Sequence, residues 1–234
     1  MNDTTTTTPE RLRPYMPAAT PDAVPLHPAV LDMAFATGPG ATRFAVSCIQ
    51  IESHKGDTYR ASATNGNILI CCEYPRFADE PTGKWLIQGE SIKSVKMPGK
   101  ASHKRGAYFT QADNLPENLH AWAWVAATRG YQTSTFSAET MDATFPAIDS
   151  VIPIMNDNGK DQELVPNMGA SVIGIEAIGL AKVLSWMGKH RCEYLKDTQW
   201  RHRQANKPIT IDTHGGDGMR MFAVVMPCSL SATD

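Results

Sequence analysis

One structural plan recurs three times along this chain: a short amphipathic helix is followed by extended segments. A single unit of this kind cannot bury its own apolar face, so neighbouring units have to stack against one another. The pattern therefore predicts an α+β fold of repeated modules, each with one helix and antiparallel strands, and with the helices on one face of the sheets. The predicted helices are 28–36, 90–97 and 176–187, and the predicted extended segments are 43–52, 59–72, 85–88, 121–127, 131–139, 209–213 and 219–226.

The third predicted helix has the clearest helical spacing of apolar residues. The stripe expected to face the core consists of Ala177, Leu180, Ala181, Leu184 and Met187. In the second helix, which Pro98 and Gly99 end, Ile92 and Val95 are expected to pack against strands. Turns between strands are indicated at 54–57 (HKGD), 128–130 (TRG) and 214–218 (HGGDG).

The composition is that of an ordinary soluble globular protein. The 234 residues are 42% hydrophobic and 20% charged with a formal net charge of -2, so any contact with DNA would need a segregated basic face. No apolar run is long enough for a transmembrane helix and no signal peptide is recognisable, so we expect a cytoplasmic location and no membrane partner. Residues 1–24 are rich in Thr and Pro, which predicts a disordered tail.

Neither the cysteines nor any motif nominates a catalytic or metal site. The five cysteines form no CxxC pair, and Cys71 and Cys72 lie in an apolar run, where a free cysteine behaves as a small buried hydrophobe. The sequence lacks G-x-S-x-G, Walker A, H-E-x-x-H and GxGxxG motifs, and its seven histidines are scattered. We therefore expect no enzymatic activity, no cofactor and no bound metal.

Three short segments carry a family resemblance. Residues 63–70 (ATNGNILI), 145–153 (FPAIDSVIP) and 223–230 (AVVMPCSL) are similar to the motifs A-T-D-G-H-R-L, F-P-x-Y-R-R-V-I-P and Y-V-V-M-P-M-R-L of bacterial sliding clamps, the β subunit of DNA polymerase III. Each match is short, but all three occur in the family's order. The resemblance implies a DNA-clamp-like fold and a role in DNA replication as a processivity factor.

The resemblance covers most of residues 26–230 and is incomplete. The family subunit has three similar domains of two halves each, whereas this chain resembles the middle domain and the second half of the last one. The implied organisation is a tail at 1–24, a clamp-like domain of two half-repeats at 25–155, and a C-terminal clamp-like half-domain at 156–234.

In the family, the three motifs meet at a hydrophobic cleft that takes short peptides of partner proteins. The resemblance implies DNA polymerase or other proteins with a clamp-binding motif as partners. Asn67 and Ile68 stand where the family has His and Arg, and Ser150 replaces another Arg, so the cleft is less basic and is expected to accept a different peptide. By position, the cleft residues are Val46, Thr64, Gly66, Asn67, Ile68, Leu69, Pro146, Val151, Val224, Met226 and Cys228.

Family members also encircle double-stranded DNA, with basic side chains that contact phosphates independently of sequence. The corresponding basic residues could equally form an ordinary solvated face. They are Lys93, Lys96, Lys100, Lys104, Arg105, Lys182, Lys189 and Arg191.

Two hypotheses of different class follow. The chain is either a clamp-like processivity protein, which would need a homo-oligomer of four copies to complete the family's twelve halves, or a peptide-binding adaptor or decoy that keeps the cleft without a ring or DNA binding. Sedimentation and DNA retention distinguish the two.

Overall fold

The computed structural model describes residues 24–38, 44–93, 106–111, 121–128, 132–139, 144–150, 175–190, 199–201, 208–214 and 219–227. Apart from Val24, the predicted tail lies outside these residues. The strands are β1 (Val24–Leu26), β2 (Cys48–His54), β3 (Thr58–Thr64), β4 (Ile68–Pro75), β5 (Lys84–Gln88), β6 (Gly106–Gln111), β7 (Ala121–Thr128), β8 (Gln132–Glu139), β9 (Gln199–Arg201), β10 (Ile209–His214) and β11 (Arg220–Val225). The α-helices are α1 (Pro28–Leu31), α2 (Gly89–Lys93) and α3 (Ala177–His190), and short 3-10 helices span Asp32–Ala36, Phe44–Ser47 and Ile148–Ser150.

The strands form two antiparallel sheets. One has the order β1-β6-β7-β8, and the other, with seven strands, has the order β5-β2-β3-β4-β11-β10-β9. In the second sheet β4 pairs with β11, so that Leu69 lies opposite Val224 and Cys71 opposite Phe222. This pairing joins the first sequence unit to the third and runs across the predicted boundary between 155 and 156. The domain division itself stays a prediction.

The helices pack on one face of the seven-stranded sheet, as predicted, and together with that face they enclose the main core. Strand alternation directs Ile49, Ala61 and Ile70 towards this core, and all three are fully buried. The first helix begins at Pro28, a favoured first residue, and the His27 side chain caps it by accepting a hydrogen bond from the Ala29 amide at 3.1 Å. Its Val30 is completely buried.

The predicted apolar stripe of α3 is wrong in orientation. The residues that this helix buries are Gly179, Val183, Trp186 and Met187. Of the predicted stripe, Met187 is buried and Leu180 packs partly against the core, whereas Ala177, Ala181 and Leu184 are exposed. Burying Trp186 and Val183 removes far more apolar area from water than burying alanines, so the helix turns these residues to the sheet.

Several element boundaries differ from the predictions. The segment 43–52 is not one strand, because residues 44–47 form a 3-10 helix and the strand starts at Cys48. The second helix is confirmed over 89–93, with Ile92 buried, while its predicted continuation to residue 97, Val95 included, lies outside the described residues. The 54–57 turn and the pairing of β7 with β8 are confirmed.

Cys71 and Cys72 are fully buried, as expected of small hydrophobes. Among the described helices, none is long and apolar enough to cross a membrane.

Candidate functional site

The face of the seven-stranded sheet that points away from the main core carries a second apolar group. On β4 and β11, side chains alternate, so Leu69 and Cys71 point outward while their neighbours Ile68 and Ile70 point into the core. We call this second group the outer-face cluster. Its members are Cys48, Leu69, Cys71, Leu86, Phe145, Ile148, Phe222 and Val224.

Residues 144–150, here called the strap, contribute two members of the outer-face cluster. Phe145 and Ile148 are each 6% exposed, and the strap ends in the 3-10 helix that starts at Ile148. Between them, Pro146 is exposed. The strap is therefore fixed to the outer face by apolar contacts, with Pro146 at the surface above the cluster.

The turn between β3 and β4 is closed by its own polar side chains. The Thr64 hydroxyl donates to the Ile68 carbonyl at 2.7 Å and accepts from the Gly66 amide at 3.1 Å. The Asn65 side-chain oxygen accepts from the amides of Asn67 and Ile68, each at 3.0 Å. Gly66 has φ of 94°, a conformation that favours glycine. A Cβ at position 66 would meet nothing within 4 Å, so the positive φ of the turn, and not a lack of space, explains the glycine.

Beside this turn, β11 ends in an exposed apolar side chain. The Met226 amide donates to the Asn67 carbonyl at 2.8 Å, which fixes the chain end of β11 next to the turn. Counting along the strand places Met226 on the same face as Val224, and its side chain is 41% exposed. Met226 thus extends the outer-face cluster to the solvent.

A row of alternating charges crosses five strands on the same outer face. Lys84, Glu52, Arg60, Glu73 and Arg220 are successive cross-strand neighbours on β5, β2, β3, β4 and β11. Ion pairs join Lys84 to Glu52 at 3.2 Å, Arg60 to Glu52 at 3.0 Å and Arg220 to Glu73 at 3.9 Å. Opposite charges directly across neighbouring strands stabilise the pairing of those strands. The charge row lies on the same face as the apolar cluster and borders it.

The strap meets the charge row through Asp149. The Arg60 guanidinium donates to Asp149 Oδ1 at 2.8 Å, and the hydrogen bond from Arg60 lowers the pKa of this carboxyl below its ordinary value. Burial alone would lower the pKa of Arg60, but its bonds to Asp149 and the charge of Glu52 outweigh burial and raise it. In the motif F-P-x-Y-R-R-V-I-P, which residues 145–153 resemble, an arginine stands at the position of Asp149. The ion pair of Asp149 with Arg60 therefore distinguishes this chain from that motif.

At the other end of the charge row, Arg220 is held by Asp212 and by an aromatic ring. Arg220 contacts both carboxylate oxygens of Asp212, at 2.9 and 3.2 Å, and its guanidinium carbon lies 5.4 Å from the centre of the Phe222 ring. Phe222 belongs to the outer-face cluster, so a cation lies against one edge of the cluster.

The structure brings part of the predicted cleft together. Leu69 and Val224 lie on the outer face, Thr64 is the cross-strand neighbour of Leu69, and Met226 follows two residues after Val224. Pro146 is exposed in the strap, between Phe145 and Ile148, which belong to the same cluster. Three further predicted residues lie apart from this group. Gly66 and Asn67 are in the exposed turn between β3 and β4. Val46 is in the 3-10 helix before β2 and packs close to Gly38, where an added Cβ would lie 3.3 Å from Val46 Cγ2.

Ile68 is a correction, because it points into the main core and packs near Gly179 of α3. Val151 and Cys228 lie outside the described residues. Sequence reasoning missed Cys48, Cys71, Leu86, Phe145, Ile148 and Phe222. For Cys71 and Phe222 the signal was available, because each lies two residues from the predicted Leu69 or Val224 on the same strand and therefore shares its face.

The candidate DNA-facing residues are mostly paired or undescribed. Lys93 pairs with Glu90, and Lys189 pairs with Asp32 at 2.6 Å. Lys182 is exposed on α3. Lys96, Lys100, Lys104, Arg105 and Arg191 lie outside the described residues.

The last turn of α3 is held against the first helical segment by a tryptophan and an ion pair. Trp186 donates to the Ala29 carbonyl at 2.9 Å, and His190 Nε2 lies 2.5 Å from Asp32 Oδ2. Burial alone would raise the pKa of Asp32, but hydrogen bonds from His190 and Lys189 outweigh burial and lower it.

The described residues offer little catalytic chemistry. Burial raises the pKa of Cys71 to about 12 and also raises that of Cys48, so neither thiol is activated as a nucleophile. Within the described ranges, no three His, Cys, Asp or Glu side chains are grouped as a metal site. What the outer face offers is apolar surface bordered by charged side chains.

Comparison with known proteins shows which solved structures share this architecture. No protein-family model and no curated protein sequence matches the chain. Among solved structures, it is similar to the Helicobacter pylori β clamp in complex with diflunisal (11% identity, TM-score 0.60, 93% of this chain and 69% of that chain). It is also similar to the Bartonella birtlesii sliding clamp bound to griselimycin (15% identity, TM-score 0.58, 92% and 68%). A third is the DNA polymerase III β subunit of Thermotoga maritima (13% identity, TM-score 0.58, 93% and 68%). The chain has the fold of the bacterial DNA polymerase sliding clamps.

Proposed function

We propose that this chain is a clamp-like, non-catalytic platform that binds a short peptide of a partner protein on the outer face of its seven-stranded sheet. The observation that carries the proposal is the outer-face cluster at the pairing of β4 with β11, open to solvent at Met226, on a sliding-clamp fold. The partner is a DNA polymerase or another DNA-processing protein that carries a clamp-binding peptide.

The chemistry of the site fits an extended peptide with two or three apolar anchor side chains. Leu69 and Val224 supply aliphatic surface, and Met226 supplies a flexible, polarisable side chain that adapts to the shape of an anchor. The turn at Asn65–Asn67 and the strap at Pro146 flank this surface on two sides. Exposed apolar surface bordered by charged residues is typical of protein interaction sites.

A role around DNA is the less supported part of the proposal. Phosphate contacts need unpaired cations on one face, whereas Lys93 and Lys189 are each in an ion pair. The alternative is an adaptor or decoy that binds clamp-binding peptides without encircling DNA. Sedimentation over a range of concentrations, followed by retention on circular and linear DNA, separates the two: a closed oligomer held on circular DNA only supports a clamp, and a monomer without DNA affinity supports the adaptor.

The peptide site is tested with griselimycin, the compound bound in the Bartonella birtlesii clamp structure. Calorimetry should detect binding to the wild-type chain, and Met226→Asp should weaken it about tenfold or more by placing a charge at the apolar site. The matched control is Ile178→Asp, which puts the same charge on another exposed apolar residue, 66% exposed on α3. The control should bind within about twofold of the wild type, because the two sites are independent.

Two results would contradict the proposal. The first is a wild-type chain that does not bind griselimycin at all, and the second is an equal loss of affinity in the Met226 and Ile178 variants. Circular dichroism of both variants checks that each is folded before the affinities are compared.

A further inference from the structure

Two ion pairs in this chain have the same form: an exposed aspartate on a surface segment meets an arginine that is nearly buried. Asp149 is 81% exposed and its partner Arg60 is 5% exposed, while Asp57 is 79% exposed and its partner Arg76 is 12% exposed. The two pairs differ in place. Asp57 and Arg76 join a hairpin turn to the residue that follows β4, whereas Asp149 and Arg60 join the strap to the middle of the sheet.

Arg60 is held in place by partners other than Asp149. Its Nε donates to Glu52 at 3.1 Å, and its Nη2 lies 3.0 Å from His54 Nδ1. Glu52 is itself fixed by Gln50 at 3.1 Å and by Lys84 at 3.2 Å. The remaining Nη1 group therefore points from a fixed position at the outer surface, where the strap passes.

Two kinds of contact anchor the strap, apolar packing and an ion pair. Phe145 and Ile148 supply apolar contact with the outer-face cluster, and Asp149 supplies a charge-assisted hydrogen bond at the next position along the chain. Apolar contacts hold a segment against a surface but allow it to slide, whereas a hydrogen bond to a fixed donor defines its position. The exposed Pro146, three residues before Asp149, is placed by the same anchors.

We propose that the Arg60–Asp149 pair is a latch that holds the strap in place and so positions the Pro146 side of the peptide site. This inference rests on the proposed function, and it assigns positioning roles to two residues outside the predicted cleft. The latch is specific to this chain's sequence, since a motif with arginine at position 149 would place two cations together. Opening the latch loosens the strap without removing any apolar side chain from the site.

Hydrogen–deuterium exchange of the full chain tests the latch directly. Asp149→Asn removes the charge with little change in shape, and the amides of 144–150 should exchange about fivefold faster than in the wild type, the range expected for an ion pair with one exposed partner. The matched control is Asp57→Asn, which should accelerate exchange around its own turn and leave 144–150 unchanged. Concentrated salt should accelerate strap exchange in the wild type but not in the Asp149 variant, because only the wild type has an ion pair to screen.

Griselimycin binding supplies the second measurement. Asp149→Asn should weaken binding about threefold, mainly through faster dissociation, and Asp57→Asn should not change it. Strap exchange that is unchanged in the Asp149 variant overturns the latch, and so does faster exchange with unchanged griselimycin affinity. A wild-type chain that fails to bind griselimycin contradicts the proposed peptide site instead, and strap exchange then decides alone whether the latch exists.

Discussion

The two faces of the seven-stranded sheet differ although the same strands build both. On the core face, one cross-strand row consists of six fully buried apolar residues, Ile87, Ile49, Ala63, Ile70, Ala223 and Ile211. On the outer face, the charge row places lysine, glutamate and arginine in alternation across five of these strands. The core face is dominated by buried apolar side chains, whereas the outer face combines a row of ion pairs with a smaller apolar cluster.

This difference assigns separate tasks to adjacent residues. Ile70 is completely buried in the main core, and its neighbour Leu69 is 7% exposed beneath the candidate peptide site. A change on the core face should therefore act on stability, and a change on the outer face should act on binding as well. Three measurements, beyond those on Met226 and Asp149, test whether the two faces have these separate roles.

The largest effect is expected from truncation of these two neighbours. Ile70→Ala should lower the free energy of unfolding by about 3 kcal/mol, and Leu69→Ala by about 2 kcal/mol, because both lose buried methyl groups but only Ile70 leaves a fully enclosed cavity. Griselimycin affinity should fall about tenfold for Leu69→Ala and stay within about twofold for Ile70→Ala where that variant is folded.

Urea unfolding and calorimetry provide both quantities. If the Ile70 variant loses more affinity than the Leu69 variant while it is still folded, the division of tasks between the two faces is wrong.

A smaller effect is expected where α3 docks on the core side. Asp32→Asn removes the carboxylate shared by His190 and Lys189, and should cost about 1 kcal/mol at neutral pH after screening of a partly exposed group. Since the folded-state pKa of Asp32 lies below its unfolded value, this stabilisation is complete above about pH 4 and disappears as the pH falls through the folded value.

The difference in unfolding free energy between wild type and Asp32→Asn should therefore be constant above about pH 4 and shrink as the pH falls below it. A difference that stays constant below about pH 4 as well would show that the charge of Asp32 does not stabilise the docking of α3.

The smallest effect is expected at the exposed end of the charge row. Lys84→Gln should change the free energy of unfolding by less than about 0.5 kcal/mol, because Lys84 is largely exposed and its pair with Glu52 is screened. Arg60→Gln, at the buried centre of the row, should cost about 3 kcal/mol because Glu52 and Asp149 lose their shared partner. Thermal unfolding with and without salt measures both effects. Equal losses of stability at the two positions would mean that the contribution of a charged residue in this row does not depend on its burial.

Much of the fold could be predicted from periodicity and turn residues. The HKGD turn, the hairpin of β7 and β8, and a helix close to 176–187 follow from local patterns and are present. Local patterns did less well where the contact is distant. Helical spacing alone favoured a face with Ala177, Leu180, Ala181, Leu184 and Met187. The helix instead turns Trp186 to the core, where it donates to the Ala29 carbonyl, 157 residues earlier in the chain.

The candidate site shows the same limit. Leu69 and Val224 were predicted together from the family resemblance, and they face each other across β4 and β11. Ile68 was assigned to the same site, but the register turns it to the core because neighbouring strand residues point to opposite faces. The pair of Arg60 with Asp149 spans 89 positions and has no local signal in the sequence.

By itself, the sequence determined the type of fold and the helix and strand units, because these depend on short-range periodicity. The resemblance of three segments to family motifs implied that they meet. Only the tertiary structure decided which face each residue occupies, how the charge row crosses five strands, and where the strap is anchored. Those features depend on strand register and on contacts between distant segments, and a shift of one residue in register would exchange the two faces of the sheet.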